Sequence, residues 1–138
     1  EPNNASLYYV EGNVYLQLGR EEEAVNAYSQ CSVINPDYEF GYIGIGQLYY
    51  NKAVSIQEVA ANEMDDNKYN ALVADFEQAL KNCIEPFETA YAVTKDSAIK
   101  VAIAEYLRNV YYRFSSDPAY EANYKKYDAI VKGEAPVE

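Results

Sequence analysis

With 138 residues, 49% of them hydrophobic and 24% charged, the chain has the length for one compact domain and the apolar content for its core, without room for two. Eleven Lys and Arg against 22 Asp and Glu give a net charge of −11, and the cations are scattered from Arg20 to Lys132, which excludes the basic stripe that would track nucleic acid. No apolar run approaches the roughly 20 residues that span a bilayer, so membrane insertion is not expected. The chain reads as soluble, cytoplasmic or periplasmic, with the compartment open because the sequence does not begin with Met.

In chain order, apolar residues three and four apart predict a helix over 5–18, a break at Gly19, and a second helix over 21–34 closed by Asn35-Pro36-Asp37. The glutamates Glu21, Glu22 and Glu23 fall in the first turn of that second helix, where they meet the positive end of its dipole. A third helix begins near Phe40 and stays apolar-periodic to about Asn62, followed by a polar loop over 63–68. From Tyr69 the residues Val73, Phe76, Leu80, Cys83, Phe87 and Ala90 alternate steps of three and four, a coiled-coil-like seam that predicts a long fourth helix, bent at Pro86. A fifth helix carries RNVYYRF at 108–114, and a sixth, over 118–131, places Tyr120, Tyr124, Tyr127 and Val131 on one face, as a terminal cap would.

The pattern repeats. Pro2, Tyr8, Gly12 and Tyr15 return 34 residues later as Pro36, Tyr42, Gly46 and Tyr49. In this setting the period, the small residues where paired helices cross and the Pro at the exit resemble the tetratricopeptide repeat. In the first unit Tyr8, Gly12, Tyr15, Ala24, Tyr28 and Pro36 stand at that family's large, Gly, Tyr, small, aromatic and Pro positions, while Glu11 departs from its apolar preference. The chain thus resembles a fragment of a bacterial protein of that family, and EPNN at its start looks like the tail of an earlier repeat. The resemblance implies an all-α, right-handed stack of three antiparallel helix hairpins forming a single domain. Repeat 1 covers about 5–36, an expanded repeat 2 about 39–94, a degenerate repeat 3 with its capping helix about 97–132, and a tail 133–138. Between Tyr49 and Tyr111 the step is 62, so the middle hairpin is elongated and protrudes.

No chemistry stands out. The chain has no His, which removes Ser-His and Cys-His nucleophile pairs and His-bearing metal sites. Cys31 and Cys83 are not a Cys-x-x-Cys pair and read as small buried hydrophobes, with their redox state open. GYIGIG at 41–46 lies inside a helical pattern and reads as helix packing rather than a phosphate loop, and MDDN at 64–67 lacks the ligand order of a calcium loop. Among 22 acids nothing selects a catalytic pair, so no enzyme, cofactor or metal is expected.

The resemblance implies a concave groove lined by the first helix of each repeat. Its residues would be Tyr9, Asn13, Leu16 and Gln17, then Ile43, Gln47, Tyr50 and Asn51, then Asn109, Tyr112 and Arg113. Tyrosines supply contact area at low entropy cost and side-chain amides pair with a peptide backbone. Of the three Tyr-Tyr pairs, the second members Tyr9, Tyr50 and Tyr112 are expected to be the exposed ones. Asn13 matches one element of the clamp by which one subgroup holds chaperone tails, but Tyr9, Gly44 and Tyr106 stand where its cations and amides belong. With the acidic balance, the partner implied is a neutral-to-basic or amphipathic peptide or helix. The alternative is a scaffold that self-associates, as a homodimer, through the elongated hairpin.

Overall fold

Polar N-caps, one left-handed glycine and short links divide the apolar periodicity into six helices in the computed structural model, which describes residues 4–138. They are α1 (Ala5–Gln17), α2 (Glu21–Ile34), α3 (Glu39–Ala61), α4 (Asp66–Val93), α5 (Ser97–Arg113) and α6 (Pro118–Val131). No strand occurs among the described residues. Pro2 and the rest of the expected repeat tail at 1–3 lie outside them, and Asn4 caps α1 by accepting from the Ser6 amide at 3.0 Å. Asp65, Asp96 and Asp117 do the same for α4, α5 and α6. The Asp65 cap shortens the loop expected over 63–68, because α4 starts at Asp66 immediately behind it. Gly19, at φ +74°, lets the Arg20 amide turn back onto the Tyr15 carbonyl at 2.9 Å and closes α1.

Consecutive helices pair as three hairpins, α1 with α2, α3 with α4 and α5 with α6, and each hairpin packs on the next through α2 against α3 and α4 against α5. The middle hairpin is the long one, at 23 and 28 residues, and α4 runs unbroken through Pro86, which has no N–H to offer the Asn82 carbonyl.

Close approach is achieved by setting aromatic rings against glycines. A Cβ on Gly12 would lie 2.5 Å from the Tyr28 ring, and one on Gly44 2.7 Å from the same ring. Tyr28 is therefore wedged between α1 and α3, and its hydroxyl donates to Asn13 Oδ1 at 2.5 Å. In the second hairpin Phe87 takes this part against Gly46, at 2.7 Å from a Cβ there. The third hairpin has Arg108 in the glycine position. Tyr111 and Tyr127 stack there at 6.0 Å, both hydroxyls donate to the Glu88 carboxylate of α4, and Arg108 reaches Asp128 at 3.9 Å.

Cys31 and Cys83 are free thiols with no exposed surface, as their apolar surroundings imply. Burial pushes Cys31 up to about 11, Cys83 to about 12 and Tyr28 to about 12. Burial also raises Tyr111 and Tyr127, with the Glu88 hydrogen bonds adding to it.

Two outcomes follow from this packing. Gly12→Leu drives a side chain into the Tyr28 ring and destabilises by about 1–3 kcal/mol in urea denaturation; an unchanged midpoint would mean that the crossing is misassigned. The raised groups bind their protons more tightly folded than unfolded, so their contribution is constant below the unfolded values. It is lost as pH rises from about 9 through about 12. The urea midpoint at fixed temperature should fall across that window, and more slowly in Cys31→Ala/Cys83→Ala, where two of the titrating groups are gone.

Candidate functional site

Elongation of the middle hairpin builds a cleft that short hairpins lack. Past the level where α3 meets α5, the outer turns of α3 and α4 continue beside the end of α5 and enclose a hollow of about 500 Å³. Tyr50, Val54 and Gln57 of α3 form one wall, Phe76 and Leu80 of α4 the floor and far wall, and Asn109, Tyr112 and Arg113 of α5, with Ser115 and Ser116 of the following turn, the near side.

Two of the polar groups are held by neighbouring side chains. Asn109 Nδ2 donates to Tyr50 Oη at 3.3 Å, and the Tyr50 ring meets Tyr106 edge-on at 4.9 Å. Arg113 lies over the Phe76 ring at 5.2 Å and pairs with Glu77 at 3.4 Å, so its charge is largely answered within the wall. Tyr112 is the accessible member, 64% exposed and braced against Tyr124 at 5.3 Å. The result is an aromatic and aliphatic hollow with an amide, a guanidinium and two serine hydroxyls at its rim, a combination suited to an apolar side chain flanked by peptide backbone.

Four of the eleven residues expected at a groove, Tyr50, Asn109, Tyr112 and Arg113, are brought together here. The α1 set is not part of this hollow. Asn13 accepts from Tyr28, Leu16 is half-buried against the first hairpin's core and Gln17 faces solvent. Gln47 is half-buried and Asn51 exposed. Three expectations need correction. Tyr50, expected to be exposed, is half-buried, with its ring against Tyr106 and its hydroxyl accepting from Asn109. Ile43 is buried in the core that α3 shares with α4 and α5, so it is not on an open groove. Tyr9 is not an exposed partner of Tyr8: Phe40 at 5.6 Å, Tyr28 at 5.8 Å and Tyr38 at 6.4 Å surround it, since the start of α3 folds back over α1. Val54, Gln57, Phe76, Leu80, Ser115 and Ser116 were missed. Phe76 and Leu80 do stand in the predicted α4 seam, but a groove drawn from first helices alone has no place for a second helix.

A cleft of similar size, about 510 Å³, lies between α2 and α4 over Tyr42, Ile45 and Tyr49 of α3 and is more polar, with Ser29, Ser32, Lys81, Asn82, Glu85 and Thr89. Among the described residues no group of three or more His, Cys, Asp or Glu is placed to hold a metal ion, and no helix is long and apolar enough to cross a membrane.

Residues 12–52, from the middle of α1 into α3, match the family model described as TPR repeat. Over 50 residues, 36% of this chain, the sequence is 40% identical to the TPR repeat-containing protein MJ1428 of Methanocaldococcus jannaschii. The chain spans 9% of that protein's length, and this relative is archaeal where a bacterial source was expected. No solved structure matches the chain. The six helices and the matched segment together make the fold an all-α helical repeat, and repeats of this type generally mediate protein–protein interaction.

Proposed function

We propose that the chain is a non-catalytic interaction domain of three hairpins that holds a neutral-to-basic amphipathic peptide or helix against the hollow between the elongated hairpin and α5. The observation that carries this reading is the convergence of Tyr50, Phe76, Asn109, Tyr112 and Arg113 on one aromatic cleft, with Asn109 and Arg113 positioned by other side chains. A prearranged rim loses little entropy when a partner is bound. The chain's net charge of −11 favours a partner without excess negative charge.

Tyr112 is the better probe, because it is 64% exposed with only Tyr124 beside its ring, while half-buried Tyr50 both packs on Tyr106 and accepts from Asn109. In a panel of 15-residue peptides graded in charge and helical amphipathicity, basic and neutral amphipathic members should bind. Their affinity should fall at least tenfold, about 1.4 kcal/mol, in Tyr112→Ala, with helicity and melting unchanged. Binding indifferent to Tyr112 places the partner elsewhere.

The second reading, self-association through the protruding hairpin, is favoured by its exposed apolar residues Val54, Val59, Met64 and Tyr69. It requires a dimer of the intact chain in light scattering that becomes a monomer when 56–76 is removed. A monomer of the intact chain at high concentration ends that reading.

A further inference from the structure

Tyr42, Ile45, Tyr49, Lys52 and Ile56 of α3 recur at steps of three and four and so share one side of that helix, turned away from Gln47, Asn51 and the hollow beside α5. A groove runs along this side. It opens with the cleft of about 510 Å³ over Tyr42, Ile45 and Tyr49, and hollows of about 330 Å³ beside Ile56 and about 270 Å³ beside Leu48 adjoin it. Tyr49 borders all three, which makes them parts of one surface. The walls belong to second helices: Asn26, Ser29 and Ser32 of α2 stand on one side, and Gln78, Asn82 and Thr89 of α4 on the other. Two wall groups lack a partner. Ser32 Oγ is buried with no hydrogen bond among the described residues, and the Asn82 carbonyl has Pro86 where its helical donor would stand. The wall charges are also unbalanced. Lys52 is answered by Glu21 at 3.4 Å and Lys81 lies over the Phe114 ring at 5.0 Å, whereas Asp75 and Glu85 of α4, both exposed, form no ion pair among the described residues.

We propose that this second groove, between α2 and α4, seats an extended basic segment of a protein partner. Between Asp75 and Thr89 the α4 wall is about 21 Å long, the span of about six extended residues. Two apolar side chains four residues apart fall on one face of such a segment and reach about 13 Å, from the Ile45 cleft toward Ile56. A Lys or Arg beside either of them meets Glu85 or Asp75. The extended form follows from the walls. Amides and hydroxyls along both sides pair with backbone N–H and C=O groups, which a strand leaves free and a helix has already used. A second copy of the chain is a poor occupant, because it brings a further charge of −11 to a groove whose unanswered groups are carboxylates. The inference stands apart from the proposed function, since the hollow beside α5 shares no residue with this groove.

Random nonapeptides displayed on phage and selected on the 138-residue chain test it, with the selected peptides then synthesised and titrated against variants. One group should carry two apolar residues four apart with a neighbouring Lys or Arg. Its affinity should fall at least tenfold in Ser29→Trp, which fills the 510 Å³ cleft, and in Asp75→Lys/Glu85→Lys, and stay unchanged in Tyr112→Ala. All three wall positions are exposed, so the variants should melt as the parent does. If one does not, the isosteric Asp75→Asn/Glu85→Gln replaces it and should cost at least threefold. Methylating the backbone nitrogens between the two apolar residues should also weaken binding at least tenfold. Absence of any peptide that depends on Ser29 and on the two carboxylates overturns the groove. Peptides that depend on them but ignore N-methylation, or that space their apolar residues three and four apart as a helix does, overturn the extended occupant. Peptides that respond only to Tyr112→Ala support the hollow beside α5 and overturn this proposal.

Discussion

The Tyr28 ring, held between Gly12 and Gly44, is the contact on which the first two hairpins depend. A Cβ on either glycine would sit within 2.7 Å of the ring, so α1 and α3 can approach α2 this closely only where both lack one. The ring thereby sets the register of three helices at once. Sliding α3 by one residue would carry the ring off Gly44 and onto Ile43 or Ile45. Its hydroxyl, donating to Asn13, removes the cost of burying a polar atom at the crossing. Phe87 applies the same constraint one hairpin later, between Gly46 and the stacked face of Tyr106. Because each ring joins its own hairpin to the next, packing passes along the stack through neighbours, as in other repeat architectures.

Once the crossings are set, extra helix length can only project outward. Compared with α1 and α2, the middle pair is longer by about 15 and 21 Å at the helical rise per residue. Toward the added turns Ala53, Ala79 and Leu80 are buried in one core and Ala60 is buried farther out, so alanines at three positions let the two long helices stay close. Their flank beyond Tyr50 then faces the end of α5 across the hollow. The candidate site is thus a consequence of the extra length of the middle hairpin, and Asn109 and Arg113 tie its α5 side to α3 and α4.

This division explains what could be read from the sequence. Helix positions and the period of 34 were legible because glycines, rings and caps are local requirements that leave their residues in place: Gly12 and Gly46, Tyr28 and Phe87, Gly19 at the turn. Four of the ten residues lining the hollow were legible for the same reason, since Tyr50, Asn109, Tyr112 and Arg113 occupy repeat positions on first helices. Phe76 and Leu80 were not, because their part depends on how far α4 outruns α5, a relation between distant segments. Tyr9 and Ile43 show the opposite error. Their positions in the repeat point toward a groove, yet the aromatic entry to α3 covers one and the core shared by α3, α4 and α5 takes in the other.

The third hairpin meets the same packing problem without a crossing glycine. Arg108 keeps a bulky charged group where Gly12 and Gly46 admit a ring, so α6 cannot approach α5 by the same wedge. Polar ties replace the close approach. Glu88 reaches from α4 to accept from Tyr111 of α5 and Tyr127 of α6, so one carboxylate joins three helices, and Arg108 meets Asp128 across the pair. Glu88 is half-buried, and the two stacked phenols supply both its donors and its apolar cover. On the solvent side, Glu121 and Lys125 of α6 pair with each other at 3.6 Å and Lys126 is exposed, leaving the end of the stack polar. The outer faces of α6 and α1 therefore differ in kind: α6 presents charge, whereas α1 presents the apolar residues Leu7, Val10 and Val14.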